Sequence, residues 1–215
     1  MDTPEMPNVQ EPKPVKFVLT LGLAGFFSGL VLVGAYLYTL PLIEANKARA
    51  MEQAIYRVLP GCTAYKTMAL QNGALRVQEG LAGTVIFAGY AAAGELIGFA
   101  IPAQEIGFQD VIAGLIGYDP VQKKVVGFEV LESKETPGLG DKIFKDADFK
   151  SNFQELECAS GVIIVSKGKK SKANEVEAIT GATISSKAVV RIINKGLDQW
   201  RAPVESWLRT QTQKQ

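Results

Sequence analysis

The longest apolar stretch of the chain lies near its N-terminus. No charged residue occurs from Phe17 to Ile43, and the run FVLTLGLAGFFSGLVLVGAYLYTL inside it is almost wholly apolar. A helix of roughly 20 apolar residues crosses the hydrocarbon core of a bilayer. The pattern therefore predicts one transmembrane helix over residues 16–41.

A cleaved signal peptide, with Ala48-Arg49-Ala50 as a small-residue site, and a buried core helix are the two alternatives for this stretch. Its apolar core is longer than the ~7 to 15 residues of a signal peptide, which favours a retained anchor. Residues 1–15 are rich in proline and are predicted to form a disordered tail. Basic residues flank the anchor on both sides, so charge bias does not choose its orientation: Lys13, Lys16, Lys47, Arg49 and Arg57.

Beyond the anchor the pattern changes from helical to alternating and back. Apolar positions from Leu42 to Leu59 recur at helical spacing until Pro60-Gly61, which predicts that the anchor helix continues into a folded domain over residues 42–215. Short β-like runs separated by turns follow: residues 65–70, 75–78, 84–90, 96–101, 111–118, 125–131 and 162–165. A short helix is predicted over residues 146–153.

The last strong pattern is an amphipathic helix. Apolar residues from Ile184 to Trp200 share one face, and Pro203 is predicted to separate this helix from a final short one containing Trp207 and Leu208. The fold class predicted from these elements is α+β: one N-terminal transmembrane helix followed by a single domain with a mixed or antiparallel sheet flanked by helices.

Composition narrows the possible chemistry. The 23 basic and 22 acidic residues leave a net charge of +1, which argues against a nucleic-acid binder because such proteins present a basic face to phosphates. The absence of histidine excludes Ser-His-Asp and Cys-His sites and histidine-ligated metals. Cys62 and Cys158 are too few for a four-thiolate metal site, and one disulfide or two separate thiols both remain possible.

Two segments carry candidate chemistry. Thr180-Gly181-Ala182-Thr183 opens the amphipathic helix, where N–H groups and the helix dipole favour an anion such as phosphate; ordinary N-capping is the alternative. Glu135-Thr136-Pro137-Gly138-Leu139-Gly140-Asp141 contains a Pro-Gly pair that suits a type II turn. A Ser-Lys hydrolase built on Ser186 and Lys187 is disfavoured, because neighbours in sequence do not face each other on a helix.

Taken together and in this order, the anchor, Leu59-Pro60-Gly61, ETPGLGD and TGAT resemble the FMN-binding domain family of the G subunit of Rnf electron-transport complexes. The related C subunit of the sodium-translocating NADH:quinone reductase shares the pattern. The resemblance covers nearly the whole chain. It implies covalent FMN, attached through a phosphoester to Thr183 by a flavin transferase that uses FAD.

The resemblance also implies roles for further residues of this chain. Thr180, Gly181 and Ala182 would form the tight approach to the acceptor, and Glu135, Thr136, Leu139 and Gly140 would pack against the flavin. Two positions depart from the family pattern. Glu177 stands where the transferase motif usually has aspartate, and Ser133 stands where family members often have histidine.

By the same resemblance the chain is an electron-transfer subunit of a translocase rather than a stand-alone enzyme. Its expected partners are the other membrane subunits of the Rnf complex and the flavin transferase, with no nucleic acid. Its expected location is the cell inner (cytoplasmic) membrane, as a single-pass protein with the N-terminus inside and the flavin domain on the periplasmic side. A membrane-tethered, non-redox binding or assembly module is the alternative function.

Overall fold

The computed structural model describes residues 14–80 and 83–212. Of the tail predicted over residues 1–15, residues 1–13 lie outside the described residues. The chain divides into two compact units, one ending at Arg49 and one beginning at Ala50.

A single helix, α1 (Pro14–Val58), extends for 45 residues. Its most apolar 18-residue window has a mean hydropathy of 2.1, and none of that window is buried within the protein. By length and composition this helix is able to cross a membrane. No break separates the apolar stretch from the helical pattern after Leu42, as the spacing predicted.

After α1 the chain forms an α+β domain, which confirms the predicted fold class. Within the described residues the elements are β1 (Ala64–Gln71), β2 (Ala74–Val77), β3 (Val85–Tyr90), β4 (Leu96–Ile106), β5 (Val111–Asp119), β6 (Lys124–Glu132), α2 (Lys142–Lys145), α3 (Ala147–Ser151), β7 (Leu156–Glu157), β8 (Ile163–Val165), β9 (Glu175–Glu177) and α4 (Thr183–Thr212). Strands β1 to β7 form one antiparallel sheet in the order β2-β1-β3-β4-β5-β6-β7. Strands β8 and β9 form a separate parallel pair.

The sheet is apolar on both faces. In β4, Phe99 and Ile101 belong to one buried cluster and Ala100 to the other, because successive side chains of a strand point to opposite faces. The larger cluster includes the apolar face of α4, and the smaller one includes the C-terminal end of α1 from Ala54 onward. One face of the sheet is therefore covered by α4, and the other face is covered by the C-terminal end of α1.

Helix α4 is longer than the sequence predicted. It continues from Thr183 to Thr212 with Pro203 inside it, so the predictions of an end near Trp200 and of a separate final helix were wrong. A proline in a helix interior costs about 3 kcal/mol. Burial offsets that cost here, since Val204 is fully buried and the Trp207 ring packs edge-on against Phe99 with centroids 5.8 Å apart.

Several short elements also differ from the prediction. Strand β4 runs to Ile106, beyond the predicted end at Ile101, because it stays paired with β5 as far as Ile106 and Val111. Strands β7 and β9 and helix α2 were missed, and each is too short for a periodic pattern to show. The helix predicted over residues 146–153 is observed as α3.

Glycines allow the end of α1 to contact the sheet closely. A Cβ atom at Gly127 would lie 2.7 Å from the carbonyl oxygen of Val58, and one at Gly117 would overlap that same oxygen. At Gly89 a Cβ atom would lie 2.6 Å from Leu59 Cδ1. The end of the helix therefore lies directly against the strands, and a side chain at any of these three glycine positions would not fit between them.

Both cysteines are free thiols. Cys158 is buried, and its Sγ donates to the carbonyl oxygen of Lys123 at 3.0 Å. Burial raises the pKa of the Cys158 thiol, which disfavours the reactive thiolate.

Candidate functional site

Three segments that are distant in sequence enclose a pocket of about 310 Å³. They are the β4–β5 turn, the segment after β6 and the start of α4. The lining residues are Phe108, Glu135, Thr136, Leu139, Gly140, Gly181, Ala182, Thr183, Ile184 and Ser185. The structure thus brings residues of the ETPGLG segment and Gly181, Ala182 and Thr183 of the TGAT segment to one pocket.

The start of α4 presents an exposed hydroxyl to this pocket. Gly181 has φ +84°, which turns the chain into the helix, and the N–H of Ala182 donates to the carbonyl oxygen of Ile179 at 3.0 Å. Thr183 is the first residue of α4 and is exposed, and within the described residues its side chain makes no hydrogen bond. Because first-turn N–H groups lack intrahelical partners, this end of α4 has both donors and a free hydroxyl at the pocket.

The other hydroxyls of the first turn point into the protein. Ser186 Oγ donates to the carbonyl oxygen of Ala182 at 2.9 Å and accepts from the N–H of Ile179 at 3.1 Å. In the described part of the chain no side chain accepts a hydrogen bond from the N–H of Thr183 or Ile184, so ordinary N-capping does not account for this segment. Ser186 is also fully buried, which removes it as a hydrolase nucleophile.

Glu135 connects the three segments. Its Oε1 accepts from the N–H of Phe108 at 2.8 Å and of Gln109 at 3.1 Å. Its Oε2 accepts from Ser185 Oγ at 2.6 Å. Thr136 adds a further link, because its Oγ1 donates to Gln109 Oε1 at 3.2 Å. The carboxylate was predicted to contact a flavin, but both of its oxygens are bound to protein donors.

The segment after β6 is a tight turn. The carbonyl oxygen of Thr136 accepts from the N–H groups of Leu139 at 3.2 Å and of Asp141 at 3.3 Å. Gly138 has φ +80°, the value that the second central position of a type II turn requires. Asp141 Oδ2 accepts from Lys145 Nζ at 2.6 Å, and this hydrogen bond is the main cause that lowers the pKa of the carboxyl.

The rim of the pocket is apolar and exposed. Phe108 is 67% exposed, Leu139 51% and Ile184 50%, although large apolar side chains are usually buried. The sequence pattern predicted Ile184 on the buried face of α4, and that prediction was wrong because its side chain points to the pocket. Phe108 and Ser185 were missed as site residues. The signal for Phe108 was a single aromatic residue within a polar turn.

Two predicted site residues lie elsewhere. Glu177 and Thr180 line a second pocket of about 200 Å³ beside α3. Glu177 Oε1 accepts from the N–H of Gly168 at 3.1 Å and of Lys170 at 3.3 Å, and its own N–H donates to Asn152 Oδ1 at 3.2 Å. The Glu177 side chain therefore holds the loop between β8 and β9.

All three segments of the pocket fall within residues 107–198, which match the family described as the FMN-binding domain. The chain is also 25% identical over 183 residues to the G subunit of the ion-translocating oxidoreductase complex of Methanosarcina acetivorans, covering 85% of this chain and 92% of that protein. The chain therefore contains a segment that matches the FMN-binding domain family, and over most of its length it is similar to G subunits of ion-translocating oxidoreductase complexes.

Two further comparisons agree with this similarity. The G subunit of the proton-translocating ferredoxin:NAD(+) oxidoreductase complex of Clostridium ljungdahlii is 29% identical over 174 residues, which cover 81% of this chain and 84% of that protein. The crystal structure of the C subunit of the Na(+)-translocating NADH-quinone reductase from Parabacteroides distasonis superposes with a TM-score of 0.59 at 21% identity, covering 76% of this chain and 94% of that one. At that identity the superposition shows that this FMN-binding domain shares the fold of that C subunit.

Proposed function

We propose that this protein is a membrane-anchored flavoprotein that carries FMN covalently on Thr183. In this role it relays electrons within an ion-translocating ferredoxin:NAD oxidoreductase complex. One observation carries the proposal: the exposed Thr183 hydroxyl, unpartnered within the described residues, stands at the N-terminus of α4 and at the wall of an open pocket.

The start of α4 suits the phosphate of FMN. A phosphoester at Thr183 places the anion beside the first-turn N–H groups, where the helix dipole stabilises negative charge. Gly181 leaves this approach open, because even a Cβ atom there would meet nothing closer than Leu139 Cδ2 at 3.8 Å. The side chains of Ser185 and Ser186 are bound within the protein and do not compete for these donors.

The rim suits a flat aromatic ring. Phe108, Leu139 and Ile184 offer exposed apolar surface on three sides of the pocket, and apolar walls with a few polar groups are typical of cofactor sites. Bound there, FMN supplies the exchange of one or two electrons, while the protein sets its orientation and electrostatic surroundings. Thr136 and Gly140 form the polar and backbone part of the same wall.

The anchor and the relatives support the cellular setting of the proposal. Helix α1 has the length and hydropathy of a single membrane span, and the named relatives are subunits of multi-subunit complexes. We infer a single-pass inner-membrane protein with its N-terminus inside and its flavin domain on the periplasmic side. Its partners would be other membrane subunits of the complex and, during maturation, a flavin transferase that recognises the segment from Glu177 to Thr183.

The deciding experiment is to produce the full chain together with a flavin transferase and to test for flavin after denaturation. Intact mass and in-gel flavin fluorescence should show one FMN on the wild type and none on Thr183→Ala. Thr210→Ala is the matched control, because it removes the same side chain from an exposed position near the other end of α4, outside both the pocket and the segment from Glu177 to Thr183. It should retain the flavin.

Two other outcomes of this experiment would contradict parts of the proposal. Flavin that remains on Thr183→Ala places the attachment at another residue. A wild type that is colourless despite an active transferase contradicts the electron-carrier function and supports the alternative, a membrane-tethered module without redox chemistry.

A further inference from the structure

The carboxylate of Glu135 is the point at which the wall of the pocket is assembled. It accepts three hydrogen bonds, from the N–H of Phe108, the N–H of Gln109 and the hydroxyl of Ser185. These partners belong to the β4–β5 turn and to the first turn of α4. No other side chain among the described residues bonds to both of these segments.

Two glycines leave the space that this carboxylate occupies. A Cβ atom at Gly140 would lie 2.5 Å from Glu135 Oε2, and one at Gly107 would overlap Oε1. The carboxylate is therefore enclosed by backbone on two sides. It has little freedom to rotate toward solvent, and Glu135 as a whole is only 6% exposed.

Hydrogen-bond donors, rather than a cation, stabilise the charge of this group. Glu135 takes part in none of the ion pairs among the described residues. A negative charge in a buried position acts over a longer range than one in water, because screening is weaker there. Glu135 lines the pocket, so its charge acts on whatever occupies that pocket.

We propose that Glu135 is a positioning residue that fixes the wall of the flavin pocket and that its buried charge lowers the reduction potential of the bound flavin. The inference rests on the proposed function. Reduction adds electrons to the ring, and a fixed negative charge beside the pocket opposes that addition. A lower potential makes the carrier a stronger electron donor to the next centre.

Glu135→Gln separates charge from shape. The glutamine oxygen accepts from both backbone N–H groups, and the amide nitrogen donates to Ser185 Oγ, so all three links are retained without the charge. The loaded full chain should have a more positive midpoint potential in a spectroelectrochemical titration. Glu105→Gln is the matched control. It removes the same charge from β4, where Glu105 is partly exposed and forms an ion pair with Lys195 of α4, and its potential should equal that of the wild type.

Hydrogen exchange of the unloaded full chain tests the positioning role without any flavin. Glu135→Ala should accelerate exchange of the Phe108 and Gln109 amides by roughly tenfold or more, since hydrogen bonds to a charged acceptor are among the stronger ones. Glu135→Gln should leave that exchange close to the wild-type rate. Ser185→Ala should free the start of α4 while the Phe108 and Gln109 amides stay protected.

The outcomes distinguish this inference from the proposed function. If the wild type carries flavin and Glu135→Gln has the wild-type potential, the electrostatic part of the proposal is overturned. If Glu135→Ala leaves exchange in residues 107–110 unchanged, the positioning part is overturned. A wild type without flavin contradicts the proposed function, and the exchange result then still decides the positioning role.

Discussion

The two long helices meet the sheet in opposite ways. The C-terminal end of α1 rests on glycines of neighbouring strands, and Val58 and Leu59 are almost completely buried. The N-terminal end of α4 stops short of full contact and leaves a pocket with an apolar, exposed rim. One end shows close packing without side chains between helix and strand, and the other shows space bordered by exposed apolar side chains.

The difference separates residues that serve folding from the residues proposed above to bind FMN. At α1 the contacting atoms are backbone carbonyls and glycines, so any added volume is a clash. At α4 the glycine at the helix start faces open space, so added volume is tolerated and backbone conformation is what matters. We therefore expect substitutions near α1 to change stability, and substitutions near α4 to change flavin loading and flavin properties.

The largest expected effect is at Gly117. Its alanine variant should lose about 1–3 kcal/mol of unfolding free energy or more, the usual cost of overpacking, because the new Cβ atom would overlap the carbonyl oxygen of Val58. Urea unfolding of the full chain, followed by the fluorescence of Trp200 and Trp207, measures this cost. Thr180→Ala is the control at an exposed position. A Gly117→Ala protein as stable as the control would show that α1 is not docked on the sheet in this way.

The next effect is at Gly181. An alanine there must adopt φ +84°, which costs about 1–2 kcal/mol outside glycine, although the space around it is open. Unfolding free energy should fall by that amount, and covalent loading by the transferase should slow. Gly138→Ala imposes a similar strain at φ +80° in the opposite wall. Equal loading rates in the two variants would contradict a special role for the start of α4.

The spacing of apolar residues predicted much of the fold, because the side chains that a helix or a strand buries recur at fixed intervals along the sequence. The long apolar helix, most strands of the main sheet and the buried stripe of α4 all follow from spacing alone. It failed where tertiary contacts outweigh local rules, as at Pro203, which stays helical because Val204 and Trp207 are packed beyond it. Ile184 shows the same limit for the site. Its spacing fits the buried face of α4, but its exposure depends on the pocket.

The link made by Glu135 was not predictable from spacing either. Glutamate at position 135 is visible in the sequence, but its partners at Phe108, Gln109 and Ser185 are 26 to 50 residues away. Only the folded sheet brings the β4–β5 turn beside the segment after β6. The family resemblance drew attention to the residue, and the geometry was needed to assign what it contacts.

A smaller effect is expected at Ile184. Ile184→Ser should change unfolding free energy by less than about 0.5 kcal/mol, as is usual for an exposed position, because half of the side chain is already in contact with water. The flavin of the loaded protein should become more accessible to iodide, measured as stronger quenching of its fluorescence. Leu70→Ser, at another exposed apolar position on β1, should leave the quenching unchanged. Equal quenching in both variants would place the flavin away from Ile184.

The smallest effect concerns pH and the turn that carries Leu139 and Gly140. Lys145 donates to Asp141 and holds the pKa of its carboxyl below the ordinary value of 3.8. A lowered pKa in the folded state means that this carboxyl contributes stability above pH 3.8, and that the contribution is lost as the pH falls through the lower, folded value. Between neutral pH and pH 3, unfolding free energy should therefore decrease more steeply in the wild type than in Asp141→Asn, since the asparagine has no charge to lose.

Urea titrations at several pH values compare the two slopes directly. Parallel slopes would mean that the ion pair does not stabilise the folded state, and that the turn is held by the hydrogen bonds to the Thr136 carbonyl oxygen alone.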